Sequence, residues 1–149
     1  MIALRAAIVA AFLTTPAFAQ ATLPDGTALY RDNCASCHGA DLKGQPDWMS
    51  PLPDGRRRAP PHDASGHTWH HSDEQLLRII RDGLGAIAPG YESDMPVFGE
   101  TLSDAEIMSI LGFFKQGWPE RERRYQQERT RRYAGPPPLN GCRGAFAAP

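Results

Sequence analysis

Apolar residues recur at helical spacing in three stretches of the 149-residue chain. Leu76, Leu77, Ile79 and Ile80 follow Ser72-Asp-Glu-Gln75, and Gly83 comes just after them. Ser with Gln three residues on is a capping box, so a helix is predicted from Ser72 to Gly83. Ser103-Asp-Ala-Glu106 opens a second run in the same way. There Ile107, Ile110, Leu111 and Phe114 form the stripe, and Gly117 with Pro119 closes the helix. Met108 lies inside this run and reads as core. An earlier helix is predicted over Asp25–Ser36, with Leu29 and Tyr30 on its apolar side. Between the helices lie a proline-rich loop, Pro46–Pro61, and a glycine-rich one, Gly83–Gly99. No stretch alternates with period two and no segment repeats.

The two ends differ from this middle. Arg5, the apolar run Ala6–Leu13, the break at Pro16 and the small residues Ala17 and Ala19 make residues 1–19 read as a secretory signal, with Gln20 as the new terminus. The run is too short to span a bilayer, and no other approaches that length. The expected mature protein is therefore exported, periplasmic and without a transmembrane span. At the other end, Pro119–Tyr133 is a charged helix candidate, and Gly135–Pro149 is Pro-rich and reads as disordered.

Charge sharpens that division. Residues 20–114 hold seven basic and fourteen acidic side chains, a net of −7, while residues 115–149 hold eight basic and three acidic, a net of +5. The plain reading of the basic tail is a solvated helix; the sharper one is an arm that docks on an acidic partner or an anionic membrane. The nearly balanced total argues against nucleic acid as the main partner. A chain of this length holds one domain of ordinary size.

The cysteines bring in chemistry. Cys34 and Cys37 stand in Cys-Ala-Ser-Cys-His, with His38 last. Such a run reads as covalent haem attachment. Two intervening residues let one helical turn present both thiols to the two haem vinyl groups, and His38 then offers its imidazole to the iron. A thioredoxin-like pair would want an α/β setting, and half a zinc site would want a second Cys or His pair. Neither accounts for the His after the second Cys in an exported chain. One motif means one haem c. Cys142 is left over, as a free thiol or a cross-link to a partner. Candidates for a second iron ligand are Met49, Met95, Met108, His62, His67, His70 and His71. The residues alone leave Met95 level with the histidines.

Asp25-Gly-Thr-Ala-Leu-Tyr30 before the motif, Gly39 after it, and Asp94-Met-Pro-Val-Phe-Gly99 before the last helix together resemble the class I c-type cytochromes, over about residues 24–118. The resemblance implies an all-α, cytochrome c-like fold of three to four helices around one covalently bound haem. It implies a cytochrome c domain over 20–118, followed by a tail over 119–149. It also implies Met95 as the distal iron ligand, opposite His38. Pro60 or Pro61 would supply a carbonyl to the proximal imidazole, a bond that fixes its tautomer. Gly26 and Phe113 or Phe114 would mark a close crossing of the first and last helices. With both axial positions filled, the implied role is single-electron transfer rather than catalysis.

The expected partners are redox proteins: a periplasmic dehydrogenase, an oxidase or a copper protein. Three rival readings stand beside the carrier. One is an electron-accepting subunit of a dehydrogenase or copper-linked complex. Another is an open-site haem sensor or enzyme. The last is a copper-handling protein built on His67, His70 and His71, whose i, i+3, i+4 spacing invites a metal. The duller alternative packs those histidines over the haem edge, with Trp69 as a wall of the pocket.

Overall fold

A computed structural model describes residues 23–133. The expected signal segment (residues 1–19), Cys142 and the Pro-rich end lie outside the described residues. The elements are α1 (Gly26–Asn33), α2 (Ala35–His38), a 3-10 turn at Thr68–His70, α3 (Asp73–Asp82), a second such turn at Leu84–Ala86, α4 (Asp104–Gln116) and α5 (Glu120–Arg132). Among the described residues there is no strand. The architecture is all-α and cytochrome c-like: among the described residues, α1–α4 give the expected three to four helices before residue 118, and α5 is the separate charged helix expected after them.

Both capping boxes form. Ser72 Oγ accepts the Gln75 N–H while Gln75 Oε1 accepts the Ser72 N–H, and Ser103 and Glu106 exchange the same pair of bonds. The first helix is shorter than the sequence predicts. Asp25 caps α1, but Cys34 leaves helical geometry at φ −122° and the chain restarts as α2. Cys34 nevertheless donates to the Tyr30 carbonyl at 2.8 Å, and its own carbonyl accepts from His38 at 2.9 Å. Gly39, at φ +79°, ends the turn in a conformation other residues rarely adopt.

The core forms where α1 crosses α4. Tyr30, Ile107, Ile110, Leu111, Phe114 and Trp118 are buried there, with Leu76 and Ile80 from α3. A Cβ at Gly26 would collide with the Ser109 carbonyl, so this glycine sets how closely the two helices approach. Its neighbour on α4 is therefore backbone, not the aromatics. Phe113 and Phe114 pack instead on Tyr30, at ring separations of 5.2 and 5.5 Å. Met108 is 40% exposed on the far side of α4, so the core reading of that residue is corrected. The stripe 107, 110, 111, 114 points one way, and position 108 is turned from it by one residue, about 100°.

The charged helix is not simply solvated. Glu122 and Gln126 of α5 are buried. Gln126 donates to Asp73 Oδ1 at 2.5 Å, and Arg129 to the His70 carbonyl at 3.0 Å. Lys115 pairs with the same Asp73 carboxylate at 2.5 Å. Helix α5 is thus strapped to the segment between the first 3-10 turn and α3.

Candidate haem site

The motif residues are placed by local structure. Cys34, at the N-cap of α2, and Cys37 and His38 within its single turn border a cavity of about 340 Å³, lined also by Met95. Cys34 is half-buried and Cys37 exposed. Burial, with Cys37 close by, pushes the Cys34 thiol up to about 11. Both sulfurs border the same cavity as the His38 ring.

His38 is buried, and its Nδ1 lies 2.9 Å from the Pro60 carbonyl oxygen. A carbonyl only accepts, so Nδ1 carries the proton and Nε2 keeps its lone pair. Burial lowers the His38 pKa, outweighing that hydrogen bond, and holds the ring neutral. A neutral imidazole with one nitrogen anchored is the form a metal requires. Of the two prolines, Pro60 makes this bond. The Pro61 carbonyl instead accepts from Thr68 Oγ1 at 3.3 Å.

Met95 reaches the cavity from a loop tied down on either side. Its N–H bonds Ser93 Oγ at 3.1 Å. Asp94 pairs with Arg56 of the proline-rich loop. Phe98 and Gly99 donate to the Ile80 and Arg81 carbonyls at the end of α3, each at 3.0 Å. The thioether also packs against the hydrophobic core.

The histidines separate. His62 stacks flat on His38, with ring centroids 4.1 Å apart and planes at 22°, and on Phe114 at 4.2 Å. Axial ligands on opposite faces of one macrocycle meet the metal end-on, so a ring lying face to face with His38 is not a partner across the iron. His62 is a wall beside the proximal ring, fixed by Thr68 Oγ1 at 2.9 Å from its Nδ1. His67 and His71 also line the cavity, and Trp48 stacks on His67 at 5.4 Å. His70 turns the other way, toward Trp69 and Tyr125. The three histidines therefore do not converge, and among the described residues no His, Cys, Asp or Glu group is arranged to hold a metal ion. Trp69 is likewise not the pocket wall expected of it, since it faces α5; Trp48 lines the cavity instead. Met49 is 67% exposed and lies outside the lining.

The remaining lining is mostly apolar: Leu76, Ile79 and Ile80 from α3, then Leu84, Ile87, Phe98 and Phe114. Arg57, Arg58 and Gln45 interrupt it. Two thiols, an imidazole nitrogen with its lone pair free, a thioether, apolar walls and two guanidinium groups fit a haem, which is flat, apolar and twice carboxylated. Of the other lining residues, His62 was expected only as a candidate iron ligand, and neither Trp48 nor the two arginines was expected at all; the Arg56–Arg58 run, strange in a proline-rich loop, is the one sequence signal of the arginines.

Comparison with known proteins agrees. The family model described as "Cytochrome C oxidase, cbb3-type, subunit III" matches residues 21–113. A fructose dehydrogenase cytochrome subunit of Gluconobacter japonicus is 31% identical over 94 residues, which is 60% of this chain and 18% of that relative. The chain thus spans less than a fifth of that protein's length. No solved structure gives a significant match. Helix α5 lies beyond the matched residues. The cavity, its donor set and the family match together show that the chain belongs to the class I c-type cytochromes, in the family of the cbb3-type oxidase subunit III, and is a haem electron-transfer protein rather than an enzyme in its own right.

Proposed function

We propose that the protein is an exported, periplasmic carrier of single electrons with one haem c. Cys34 and Cys37 would hold the haem through thioether links to its two vinyl groups, and His38 and Met95 would ligate its iron. Bound haem supplies an Fe(II)/Fe(III) couple. The chain's own residues do the rest. Pro60 holds the His38 proton on Nδ1, the α3 side chains exclude water, and Arg57 and Arg58 offer charge to the two carboxylates. The observation that carries this reading is the anchored His38 ring sharing one cavity with Met95 and both thiols. A thioether ligand favours ferrous iron, and two filled axial positions leave no place for substrate.

The test is spectroscopic. Pyridine-treated, reduced protein should give the spectrum of a haem with both vinyl groups saturated. The ferric wild type should show the weak sulfur–iron band at the red end, and Met95→His should stay six-coordinate with a lower potential. Rapid carbon monoxide binding by the reduced wild type would overturn the closed-site reading. So would a native spectrum in Met95→Ala together with its loss in His67→Ala or His71→Ala.

A second reading keeps the chemistry and changes the setting. The Gluconobacter relative is a dehydrogenase cytochrome subunit, so this chain would accept electrons within such a complex. Stable co-purification with a dehydrogenase would favour it. As to organisation, residues 20–118 form the haem domain and α5 is an addition docked upon it. A chain ending at Trp118 should keep its haem spectrum while losing stability.

A further inference from the structure

Helix α5 turns one side inward through Glu122 and Gln126 and leaves the other in water. Its six arginines outnumber its three glutamates, so the element is net +3. Arg121, Arg124 and Arg132 keep 81%, 73% and 77% of their side-chain surface exposed even while paired with Glu122, Glu120 and Glu128 of the same helix. The body to which α5 is strapped carries the net −7 of residues 20–114. Charge is therefore unevenly divided, positive on α5 and net negative over the residues before it.

An aromatic cluster lies at that element. Trp69 meets Tyr125 edge-on at 5.4 Å and His70 at 3.8 Å, and Arg121 sits 5.8 Å above the Trp69 ring. Tyr125 is 44% exposed. Tryptophan, tyrosine and arginine are the side chains that dominate binding energy at protein interfaces. The turn bearing Trp69 and His70 puts its other residues, His67, Thr68 and His71, on the wall of the haem cavity. One short turn thus has the cavity on one side and the aromatic–arginine cluster on the other.

We propose that the outer side of α5, centred on Tyr125, Trp69, Arg121 and Arg124, is the docking surface for an acidic redox protein. The proposal rests on the electron-transfer reading above and names the kind of partner. Charge complementarity selects the occupant. An acidic protein is repelled by the body and drawn to α5, so this uneven charge orients it before contact. The aromatic cluster then supplies a site that can be desolvated. The exchange moves one electron: the partner's centre is oxidised by one unit, the haem iron goes from Fe(III) to Fe(II), and no proton is needed.

A plant-type ferredoxin, a small acidic one-electron protein, is the probe. Oxidised ferredoxin is titrated into the full-length ferric holoprotein by calorimetry at low salt and again near 0.5 M salt, where screening is short-ranged. Reduction of the ferric holoprotein by reduced ferredoxin is then timed across the same salt range. Binding is expected at low salt only. Arg121→Glu, Arg124→Glu and Arg132→Glu together should weaken it roughly tenfold or more and flatten the salt dependence of the rate. The three Arg→Lys changes should restore binding, Tyr125→Ala should weaken it several-fold, and every variant should keep the wild-type haem spectrum. Wild-type binding by the triple Glu variant overturns the proposal, as does binding that survives high salt. Preferential binding to phosphatidylglycerol vesicles, lost in the same variant, overturns it in favour of a membrane. Because the calorimetry needs no electron to move, failure of the electron-transfer reading would show separately, as a holoprotein that binds ferredoxin but is not reduced by it.

Discussion

The two sides of the haem cavity are built by different means. On the side of His38, five consecutive residues carry both thiols and the imidazole. A single helical turn sets their spacing, and one carbonyl 22 residues on fixes the ring. On the side of Met95 only the bond from its N–H to Ser93 Oγ is local. The loop holds its place through bonds to the end of α3, an ion pair to the proline-rich loop and contact with the core. The first arrangement survives small shifts of the fold, because covalent neighbours move together. The second is only as well placed as the elements it leans on. The proximal side should therefore fail all at once, when its own residues change, and the distal side by degrees.

The largest effect should come from Cys34→Ala with Cys37→Ala. Haem is the largest apolar body available to so small a core, so losing its attachment should remove the c-type spectrum and sharply lower the folded yield. Near-normal yield and spectrum, measured by absorbance and circular dichroism, would refute the local account. Met95→Ala comes next. The haem should stay attached while the red sulfur–iron band disappears and small ligands bind to the vacated face. Haem loss in this variant would mean that the two sides are not separable.

An intermediate effect should come from pH. His71 lies between the cavity and α5, facing His67, His70 and Arg129. Burial first, then those charges, pushes its pKa down to about 4. The unfolded chain, near 6.5, binds the proton more readily, so stability rises with pH through this window and is lost as pH falls from about 6.5 toward 4. The full difference is on the order of 3 kcal/mol. Denaturant midpoints between pH 4 and 7 should show this slope in the wild type and a shallower one in His71→Gln. Equal slopes would assign the acid sensitivity elsewhere.

The smallest effect should come from Arg56→Gln, which breaks the tether to Asp94. The pair is solvent-exposed, so its loss should cost little stability. Its position beside Met95 makes ligand exchange the better measurement. Imidazole should displace Met95 more readily in the variant, with the same maximum spectral change. Unchanged displacement would show that α3 and the core alone hold the loop.

Much was legible in the sequence for one reason: the features concerned are short-ranged. The Cys-x-x-Cys-His spacing, the two capping boxes and the stripe Ile107, Ile110, Leu111, Phe114 each depend on residues within one or two turns. The chain therefore determined where α3 and α4 begin and that Cys34, Cys37 and His38 come together. Tertiary structure decided the rest. The choice of Pro60 over Pro61 depends on which carbonyl the fold brings to His38, and both prolines look alike in the chain. His62 became a wall beside the proximal ring because Phe114, 52 residues later, closes over it. His70 parted from His67 and His71 because a 3-10 turn, not an α-helix, carries them, and i, i+3, i+4 spacing gathers side chains only on the latter. Helix α5 reads as charged and solvated, yet its Gln126 and Arg129 find Asp73 and the His70 carbonyl more than 50 residues away. Composition and periodicity report on neighbours along the chain; they carry no record of which distant polar group will satisfy a buried one.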